Sequence, residues 1–351
     1  MKVLYFTCLT SKKEKYDGER IKNTLIYNSL KRIADVDVVD FTKNTFINLL
    51  KTIWLSMFRK KKYDFFIISK DPHGANVIQK ILNFSKVPSK KTIYFEIGPF
   101  LYDRILNGSI KKETFINERL IIVETKSMKS ELESIGFNRL DVFPNFKEIY
   151  DILFNETKYP KKTLKLIYFS RIEDKKGIYD LVDCIKAINN DDIKFSLDIY
   201  GRPQNKFEQD RIIDLCKECP YLEYKGKIDM NNAEAYKLLS EYDLHVFPTK
   251  YAEGFPGTII DFFIAGVPTL ASSFARANDI LTTSDSIIFK QGDNNDLISK
   301  LKDIYDNQSK LIDLRKKSFE RKKEYSIEAF DNYLKNMFDV LLLEDSLKWK
   351  F

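Results

Sequence analysis

Apolar residues recur along this chain in short runs, separated by longer amphipathic stretches such as Arg20–Ile33 and Lys126–Ile135. In the first part of the chain the strand-length runs are Lys2–Phe6, Asp35–Phe41, Asp64–Ser69, Lys91–Phe95, Leu120–Val123 and Asp141–Phe143. In the second part they are Leu164–Ser170, Lys194–Tyr200, Leu222–Lys225, Asp243–Phe247, Val267–Ala271 and Ile287–Phe289. Short buried strands that alternate with helices predict parallel α/β units.

A polar stretch divides this alternation into two blocks of similar length. Asn155–Lys162 contains lysine and proline, and the strand–helix alternation restarts after it. We therefore predict two doubly wound domains, residues 1–157 and 158–326, that face each other across a deep cleft. The apolar spacing in Ile327–Leu343 predicts one long helix at the end of the chain, with no strand after it.

Composition restricts the class of protein. The chain has 351 residues, enough for about two domains, and its 44% hydrophobic and 14% aromatic residues exclude a disordered chain. No run approaches the ~18 apolar residues of a membrane span. The first residues, Met1–Thr7, lack a signal-peptide cleavage site and are expected to form a strand. Four cysteines are too few for a disulfide framework, so we expect a reducing cytoplasm.

The net charge of +7 is unevenly distributed. Residues 1–150 hold 27 Lys and Arg against 17 Asp and Glu, whereas the remaining 201 residues hold 31 against 34. One half of the chain is basic and the other is mildly acidic. This asymmetry indicates an anionic partner for the first half.

The first chemical motif is the segment from Ser170 to Gly177. A strand ends near Ser170 and a helix begins near Gly177, so Arg171 and Lys176 lie in the loop at the carboxyl end of a strand. Open α/β sheets bind ligands at this position, and helix N-termini favour phosphate oxygens. Two cations suit a diphosphate better than a single carboxylate. The alternative is an ordinary solvated loop.

The second motif is the segment Pro248–Pro268, where a strand again leads through a loop into a helix. Pro256 suits the first turn of that helix, and Gly257 lets a ligand approach the backbone. Glu253 lies in the loop and Asp261 about one turn into the helix. At this spacing both carboxylates can point at one bound molecule and hold its sugar hydroxyls.

Together these two segments resemble the nucleotide-sugar glycosyltransferases of family four, which have the GT-B fold of two facing Rossmann-like domains. Ser170–Gly177 resembles the donor-diphosphate loop of that family, and Glu253–Asp261 resembles its Glu–seven residues–Glu motif. One departure is that the second acid is Asp261, a methylene shorter than glutamate. The resemblance implies that the first domain is on the acceptor side and that residues 327–351 cross back to it.

The resemblance also implies roles for individual residues. Arg171 and Lys176 would neutralise the leaving diphosphate, Glu253 would hold the donor sugar, and Asp261 would hold the ribose. The remaining donor-binding residues by position are Ser170, Gly201, Arg202, Lys227, Ile228, Phe255, Pro256, Gly257 and Thr258. Such enzymes retain the anomeric configuration and need no metal, so we expect no cofactor besides the nucleotide sugar, and UDP rather than GDP as its nucleotide.

Three residues of the first half of the chain are candidates for the acceptor side. Gly18, in the segment from Asp17 to Lys22, occupies the position of the family's glycine-rich loop, and it is the one glycine there. His73 follows a strand and either lines the cleft or is a surface histidine. Glu96 ends the fourth strand, where many relatives have a histidine near the reacting centre. It either bonds the donor sugar or acceptor hydroxyl or bonds neighbouring backbone amides.

The basic excess of the first half gathers around one predicted helix. Residues 41–95 hold 11 Lys and Arg but 2 Asp and Glu. Within this region, Phe46–Phe58 has apolar residues over about half the helix circumference, and Arg59-Lys60-Lys61-Lys62 follows directly. Residues 46–62 therefore form either an interfacial membrane helix or a helix packed on the sheet of the first domain. Membrane contact would imply a peripheral protein on the inner face of the plasma membrane.

We therefore expect a retaining hexosyltransferase that uses a nucleotide sugar and a glycan or polyprenyl-diphosphate-linked acceptor. Capsule, exopolysaccharide or O-antigen assembly is the setting that the resemblance implies. Two alternatives are a GT-B enzyme that hydrolyses or epimerises a nucleotide sugar, and a polyanion-binding protein. Nucleic acid is not an expected partner, because residues 41–95 lack a recognised binding motif and their aromatic residues follow core periodicity.

Overall fold

The computed structural model describes residues 1–10 and 18–347, which fold as two compact units. The first unit consists of Met1–Lys147 and Tyr325–Phe351, and the second consists of Glu148–Glu324. Asp17, at the start of the predicted acceptor-side loop, lies outside the described residues. So do residues 348–351 of the segment predicted to cross back.

The described residues form twelve strands, one at each apolar run that predicted a strand. They are β1 (Lys2–Thr7), β2 (Asp35–Asp40), β3 (Phe65–Lys70), β4 (Thr92–Glu96), β5 (Leu120–Val123), β6 (Leu140–Val142), β7 (Leu164–Phe169), β8 (Phe195–Tyr200), β9 (Leu222–Gly226), β10 (Leu244–Phe247), β11 (Thr269–Ser272) and β12 (Ser286–Phe289).

Thirteen α-helices connect and cover these strands within the described part of the chain. They are α1 (Gly18–Ile33), α2 (Thr45–Phe58), α3 (Pro72–Phe84), α4 (Leu101–Leu106), α5 (Lys126–Ser134), α6 (Ile178–Ile188), α7 (Lys206–Glu218), α8 (Ala233–Ser240), α9 (Gly257–Ala265), α10 (Ala277–Ile280), α11 (Asn294–Asp306), α12 (Lys310–Arg321) and α13 (Ile327–Leu347). Short 3-10 turns include Lys60–Lys62 and Asp174–Lys176.

The sheet of the first unit is parallel throughout, with the strand order β2-β1-β3-β4-β5-β6. One face packs against α1 and α13. The side chains of α13 that are buried there are Phe330, Leu334, Met337, Phe338 and Leu341, the apolar positions whose spacing predicts this helix. The other face packs against α3 and α5, with Leu55 of α2 at its margin. Cover on both faces explains why β1, β3, β4 and β5 are near-continuous apolar runs, whereas the edge strand β2 alternates aspartate with valine and is only partly buried.

The sheet of the second unit is also parallel, with the order β12-β11-β10-β7-β8-β9. One face packs against α6, α7 and α11, and the other packs against α8 and α9. Helix α12 adds Leu311 and Leu314 to the apolar cluster on the first face and also packs against α9. The chain leaves β7 towards β8 and β9, and then returns to the other side of β7 as β10. The topological switch point of this sheet therefore lies between β7 and β10, where open α/β sheets bind ligands.

These two six-stranded parallel sheets confirm the predicted α/β class. Among residues 1–10 and 18–347, no helix is both long enough and apolar enough to cross a membrane.

Candidate active site

The loops that follow β7 and β10 meet at the switch point of the second sheet. Gly177 has a φ of +73°, and a Cβ at this position would lie 1.9 Å from the carbonyl oxygen of Pro248. The amide of Lys250 donates to the carbonyl of Lys175 over 2.9 Å. Because a side chain at Gly177 would overlap the backbone of the second loop, glycine is what allows the two motifs to touch.

An ion pair between Lys176 and Glu253 joins the two motifs. The side chain of Lys176 is 7% exposed and that of Glu253 is 14% exposed, so both charges are largely removed from water. The hydroxyl of Thr249 also donates to Glu253 Oε1, over 2.9 Å, and Lys176 Nζ lies 5.3 Å from the centre of the Tyr251 ring. These contacts fix both side chains. The sequence had assigned Lys176 to the diphosphate and Glu253 to the sugar of one nucleotide-sugar donor.

Arg171, the other predicted diphosphate ligand, is held much less firmly. Its side chain is 61% exposed, and its Nε lies 3.7 Å from Oε1 of the buried Glu173. The backbone is fixed more tightly, because the Tyr168 hydroxyl donates to the carbonyl of Arg171 over 2.7 Å. Burial raises the pKa of Tyr168 well above its ordinary value, so this hydroxyl remains a donor. The backbone of Arg171 is therefore fixed, while its guanidinium is accessible to solvent or to a ligand.

A helix N-terminus lies beside the ion pair. Pro256 has a φ of −63° and precedes α9, whose first residue is Gly257, and no side chain caps this end of the helix. The hydroxyl oxygen of Thr258 is buried and has no hydrogen-bond partner among the described residues. Phe255 is buried just before the turn. The amides of the first helical turn have no partner within the helix and carry partial positive charge, which suits an anion.

Asp261 lies one turn further along α9 and is buried. It accepts a hydrogen bond of 3.0 Å from the hydroxyl of Tyr236 on α8, and the ring of Tyr150 stacks on that of Tyr236 with a centroid separation of 5.4 Å. Burial, and then the charge of Asp261, raise the pKa of Tyr236, so its hydroxyl stays protonated and donates. Glu253 and Asp261 thus have different protein partners, and whether both hold one bound molecule stays a prediction.

The loop after β8 packs against the end of β7. Gly201 has a φ of +153°, and a Cβ there would lie 1.7 Å from the carbonyl oxygen of Ser170. The amide of Gly201 donates to the carbonyl of Gly226 over 2.7 Å, and its carbonyl accepts from the Tyr224 hydroxyl over 3.1 Å. Ser170, Gly201 and Gly226 are therefore brought together at neighbouring strand ends.

The side chains predicted beside the nucleotide base differ in their surroundings. Arg202 and Lys227 are exposed. Ile228 is half-buried and packs against an apolar cluster that includes Tyr200 and Phe262. The edge of the second sheet therefore offers one apolar side chain and two solvent-facing cations next to backbone groups.

In the first unit, Glu96 bonds a neighbouring backbone amide, which is one of the two alternatives that the sequence left for it. It is buried at the end of β4, and its Oε1 accepts the amide of Leu101 over 2.8 Å. This contact anchors the carboxylate at the start of α4.

The other two acceptor-side residues lie on different helices of the first unit. His73 is exposed in the first turn of α3, and its Nε2 contacts Nη1 of Arg104. Gly18 begins α1, and a Cβ there would meet no described atom within 4 Å. Nothing in the described residues therefore requires glycine at position 18, and the described contacts do not join Gly18, His73 and Glu96 into one cluster.

The described residues contain no group of three or more His, Cys, Asp or Glu side chains that could hold a metal ion.

Sequence reasoning missed three side chains that contact the predicted site residues. Thr249 and Tyr251 lie within the second motif, but no spacing rule marks a hydroxyl or a ring as a partner of Glu253 and Lys176. Tyr236 lies 25 residues before Asp261 and carries no sequence signal that would pair it with that acid. It is found through the packing of α8 on α9.

The match to a known family falls on the second unit. Residues 163–307 match the family described as Glycosyl transferases group 1. This segment contains both motifs and the switch point between β7 and β10. Among curated protein sequences, none matches the chain significantly.

Solved structures resemble the chain over nearly its whole length. Anabaena Alr3699/HepE in complex with UDP has a TM-score of 0.72 at 13% identity, covering 97% of this chain and 100% of its own. Sucrose-phosphate synthase (tll1590) from Thermosynechococcus elongatus has a TM-score of 0.76 at 15% identity, covering 98% of this chain and 99% of its own. The apo form of the lipopolysaccharide outer core galactosyltransferase WaaB has a TM-score of 0.67 at 16% identity, covering 96% of this chain and 100% of its own. The chain therefore has the GT-B fold, and the match over 163–307 confirms the resemblance to GT-B glycosyltransferases.

Proposed function

We propose that the chain is a retaining, metal-independent glycosyltransferase that moves a hexosyl unit from a nucleotide-diphosphate sugar to a glycan or lipid-linked glycan acceptor. The setting we propose is bacterial surface-polysaccharide synthesis. The observation that carries the proposal is the ion pair of Lys176 and Glu253 at the switch point, beside the N-terminus of α9.

The chemistry of the transfer explains why charges are needed at this point. Cleavage of the bond between the anomeric carbon and the diphosphate oxygen leaves negative charge on the diphosphate and positive charge on the sugar. Lys176, the reachable guanidinium of Arg171 and the first amides of α9 would stabilise the departing diphosphate. Because Lys176 is already fixed by its contacts, little reorganisation is required when that charge develops.

Glu253 would serve the sugar side of the same bond. Its Oε1 accepts from Thr249 and contacts Lys176, so the carboxylate is oriented before any ligand binds. An oriented carboxylate can accept hydrogen bonds from two sugar hydroxyls and lies next to the developing cation. Glu253 would therefore hold the hexosyl unit while Lys176 holds the leaving group.

We propose UDP as the nucleotide. HepE, which shares the fold, has been solved with UDP and with UDP-glucose. In this chain the backbone of Gly201, the exposed Lys227 and the packed Ile228 would flank the base, and the carboxylate of Asp261, which Tyr236 orients, would bind the ribose. No cofactor besides the donor is part of the proposal.

The acceptor we propose is an anionic, lipid-linked glycan that meets the basic first half of the chain. WaaB, another structure with this fold, is described as a lipopolysaccharide outer core galactosyltransferase, and the first 150 residues of this chain are basic. A polyprenyl-diphosphate-linked glycan would present a diphosphate to those cations. Glu96 and His73 remain candidate acceptor-side residues in this proposal.

The test is thermal stabilisation by a panel of UDP-, GDP-, ADP- and dTDP-sugars. At least one UDP-sugar should raise the melting temperature of the wild-type chain, and Glu253→Ala should weaken the effect. Glu218→Ala is the matched control, because this carboxylate is exposed at the end of α7. Stabilisation by none of the donors would contradict the proposal. Free sugar released at a rate that no glycan acceptor changes would indicate a hydrolase instead.

Retention and metal independence need their own measurements on the donor that binds. NMR of the product should show the anomeric configuration of the donor, and turnover should persist in excess EDTA. Inversion of the anomeric carbon or loss of turnover in EDTA would each overturn the corresponding part of the proposal.

A further inference from the structure

The helix α2 has its apolar and polar sides reversed relative to an ordinary surface helix. Its exposed large apolar side chains are between 43% and 72% exposed and consist of Phe46, Ile47, Leu50, Trp54, Met57 and Phe58. At 100° per residue these six positions fall within an arc of about 120°. We call this arc the α2 face. Six large apolar groups on one face expose on the order of several hundred Å², as much as or more than the largest patch of a typical monomer.

The buried side of α2 shows that this exposure is not a consequence of poor packing. The buried residues of the helix are Thr52, Leu55 and Ser56, of which two are polar. Thr52 satisfies its hydroxyl on the carbonyl of Asn48 over 2.7 Å, whereas the Ser56 hydroxyl has no partner among the described residues. The helix therefore attaches through Thr52, Leu55 and Ser56, with Leu49 also packed against the core, and directs its aromatic groups outward.

Positive charge surrounds the α2 face. Residues 41–63 contain six Lys and Arg and no Asp or Glu. Arg59 and Lys61 are exposed and have no ion pair among the described residues, and the Arg59 guanidinium lies 5.6 Å from the Trp54 ring. Lys60 donates to the carbonyl of Ser85 over 2.6 Å, which brings the exposed Phe84 at the end of α3 next to this basic turn.

We propose that the α2 face docks the chain on an anionic lipid bilayer, with α2 lying in the plane of the interface. The apolar arc would enter the headgroup boundary, and Arg59 and Lys61 would meet lipid phosphates. The complementarity of charge selects this occupant, because a water-soluble partner with an apolar groove alone would not require the cations Arg59 and Lys61, unpaired among the described residues, beside the apolar arc, in a segment, residues 41–63, that contains no acidic residue. The inference goes beyond the proposed transferase activity and does not depend on it.

Co-sedimentation with vesicles tests the docking directly. The full chain should sediment with equimolar phosphatidylglycerol and phosphatidylcholine at about 0.1 M NaCl. It should not do so with pure phosphatidylcholine, and about 1 M NaCl should release most of it, because salt screens the attraction. Absence of sedimentation with the anionic vesicles at low salt would overturn the proposal.

Paired variants separate the two components of docking. Trp54→Ser with Phe58→Ser should lower the partition coefficient at least about tenfold, and Arg59→Ser with Lys61→Ser should lower it about fivefold for each cation removed. Matched controls in the second unit are Phe207→Ser and Lys302→Ser, which alter exposed side chains of the same kind and should leave partition unchanged. Equal losses in the controls, or none in the α2 variants, would refute the assignment.

Sedimentation velocity distinguishes the competing occupant, a second copy of the chain. The wild type should remain monomeric without lipid at micromolar concentration. A dimer that the Trp54→Ser and Phe58→Ser substitutions dissociate would show that the α2 face covers itself, and would replace the membrane proposal. Circular dichroism of each variant should match the wild type, because every substituted side chain is exposed.

Discussion

The carboxyl edges of the two sheets are built on the same topology but differ in how their polar residues are arranged. At the edge of the second sheet, Lys176 and Thr249 both contact Glu253, although two loops supply these residues. At the edge of the first sheet, Glu96 accepts a backbone amide and His73 contacts Arg104, each within its own neighbourhood. Side chains converge at the first edge as well, because Lys22 of α1 forms a buried ion pair with Glu124 after β5 and Lys70 of β3 donates to Cys8 after β1. What distinguishes the second edge is that the predicted site residues are the ones that converge there, whereas Glu96 and His73 remain apart.

The largest effect that would separate the two edges is loss of turnover in Lys176→Ala. Removing a fixed cation that stabilises the leaving diphosphate should lower kcat by about 10²–10³-fold. The neighbouring Lys175→Ala is the control, since its ammonium lies 3.3 Å from Glu173 in a more exposed position, and it should lower kcat by less than about threefold. Steady-state kinetics on the donor found by the panel measures both, and equal losses would mean that the ion pair has no special role.

A substitution at Gly177 should disrupt the contact between the loops that follow β7 and β10, because this contact is made by the backbone. In Gly177→Ala the new Cβ would overlap the Pro248 carbonyl in a left-handed conformation, so we expect the free energy of unfolding to fall by at least about 3 kcal/mol. Gly292→Ala is the control, because Gly292 has a φ of +74° but no atom within 4 Å of its Cβ position, and it should cost about 1 kcal/mol. Urea denaturation of both variants decides the matter, and similar losses would show that close approach is unimportant at Gly177.

A smaller effect should follow from releasing Asp261. In Tyr236→Phe the buried carboxylate loses a hydrogen-bond donor and its orientation, so KM for the donor should rise about tenfold while kcat changes less. Tyr305→Phe removes a comparable hydroxyl bond, 2.9 Å to the Lys162 carbonyl, and should leave both constants unaltered. A fall in kcat at constant KM would assign Asp261 to the chemical step instead of ribose binding.

The smallest effect is expected at the first edge, in Glu96→Gln. The glutamine carbonyl can still accept the Leu101 amide, so turnover should fall by less than about threefold. Glu96→Ala, which removes the acceptor altogether, should lower the melting temperature as well. If Glu96→Gln instead lost turnover by a hundredfold with unchanged stability, Glu96 would belong to the reacting centre and the contrast between the two edges would fail.

Much of the fold could be read from the sequence because its causes are local and periodic. All twelve strands occur at the runs that predicted them, because strands buried on both faces are mostly apolar and the edge strands β2 and β9 alternate apolar with polar residues. The two motifs were found for a similar reason, because the residues that follow a strand and open a helix lie at a known edge of the sheet. The spacing of apolar residues predicted helix α2, but it did not decide whether the apolar residues of that helix pack on the sheet or face outward.

Contacts between distant residues could not be read in this way. No rule of spacing pairs Tyr236 with Asp261 or Thr249 with Glu253, because these contacts depend on how α8 packs on α9 and how two loops approach. Glu253 and Asp261 likewise have separate protein partners, Lys176 and Tyr236, which their positions in the motif did not indicate.

The sequence by itself determined the doubly wound class, the strand positions, the two motifs and the separation of charge between the halves of the chain, since each follows from the order and period of residue types. Only the tertiary structure decided that Lys176 and Glu253 form a buried pair, that Gly177 is required by a backbone contact, and that α2 turns its aromatic side chains outward. Burial and pairing depend on which surfaces remain after packing, and that is set by the whole fold and not by any single segment.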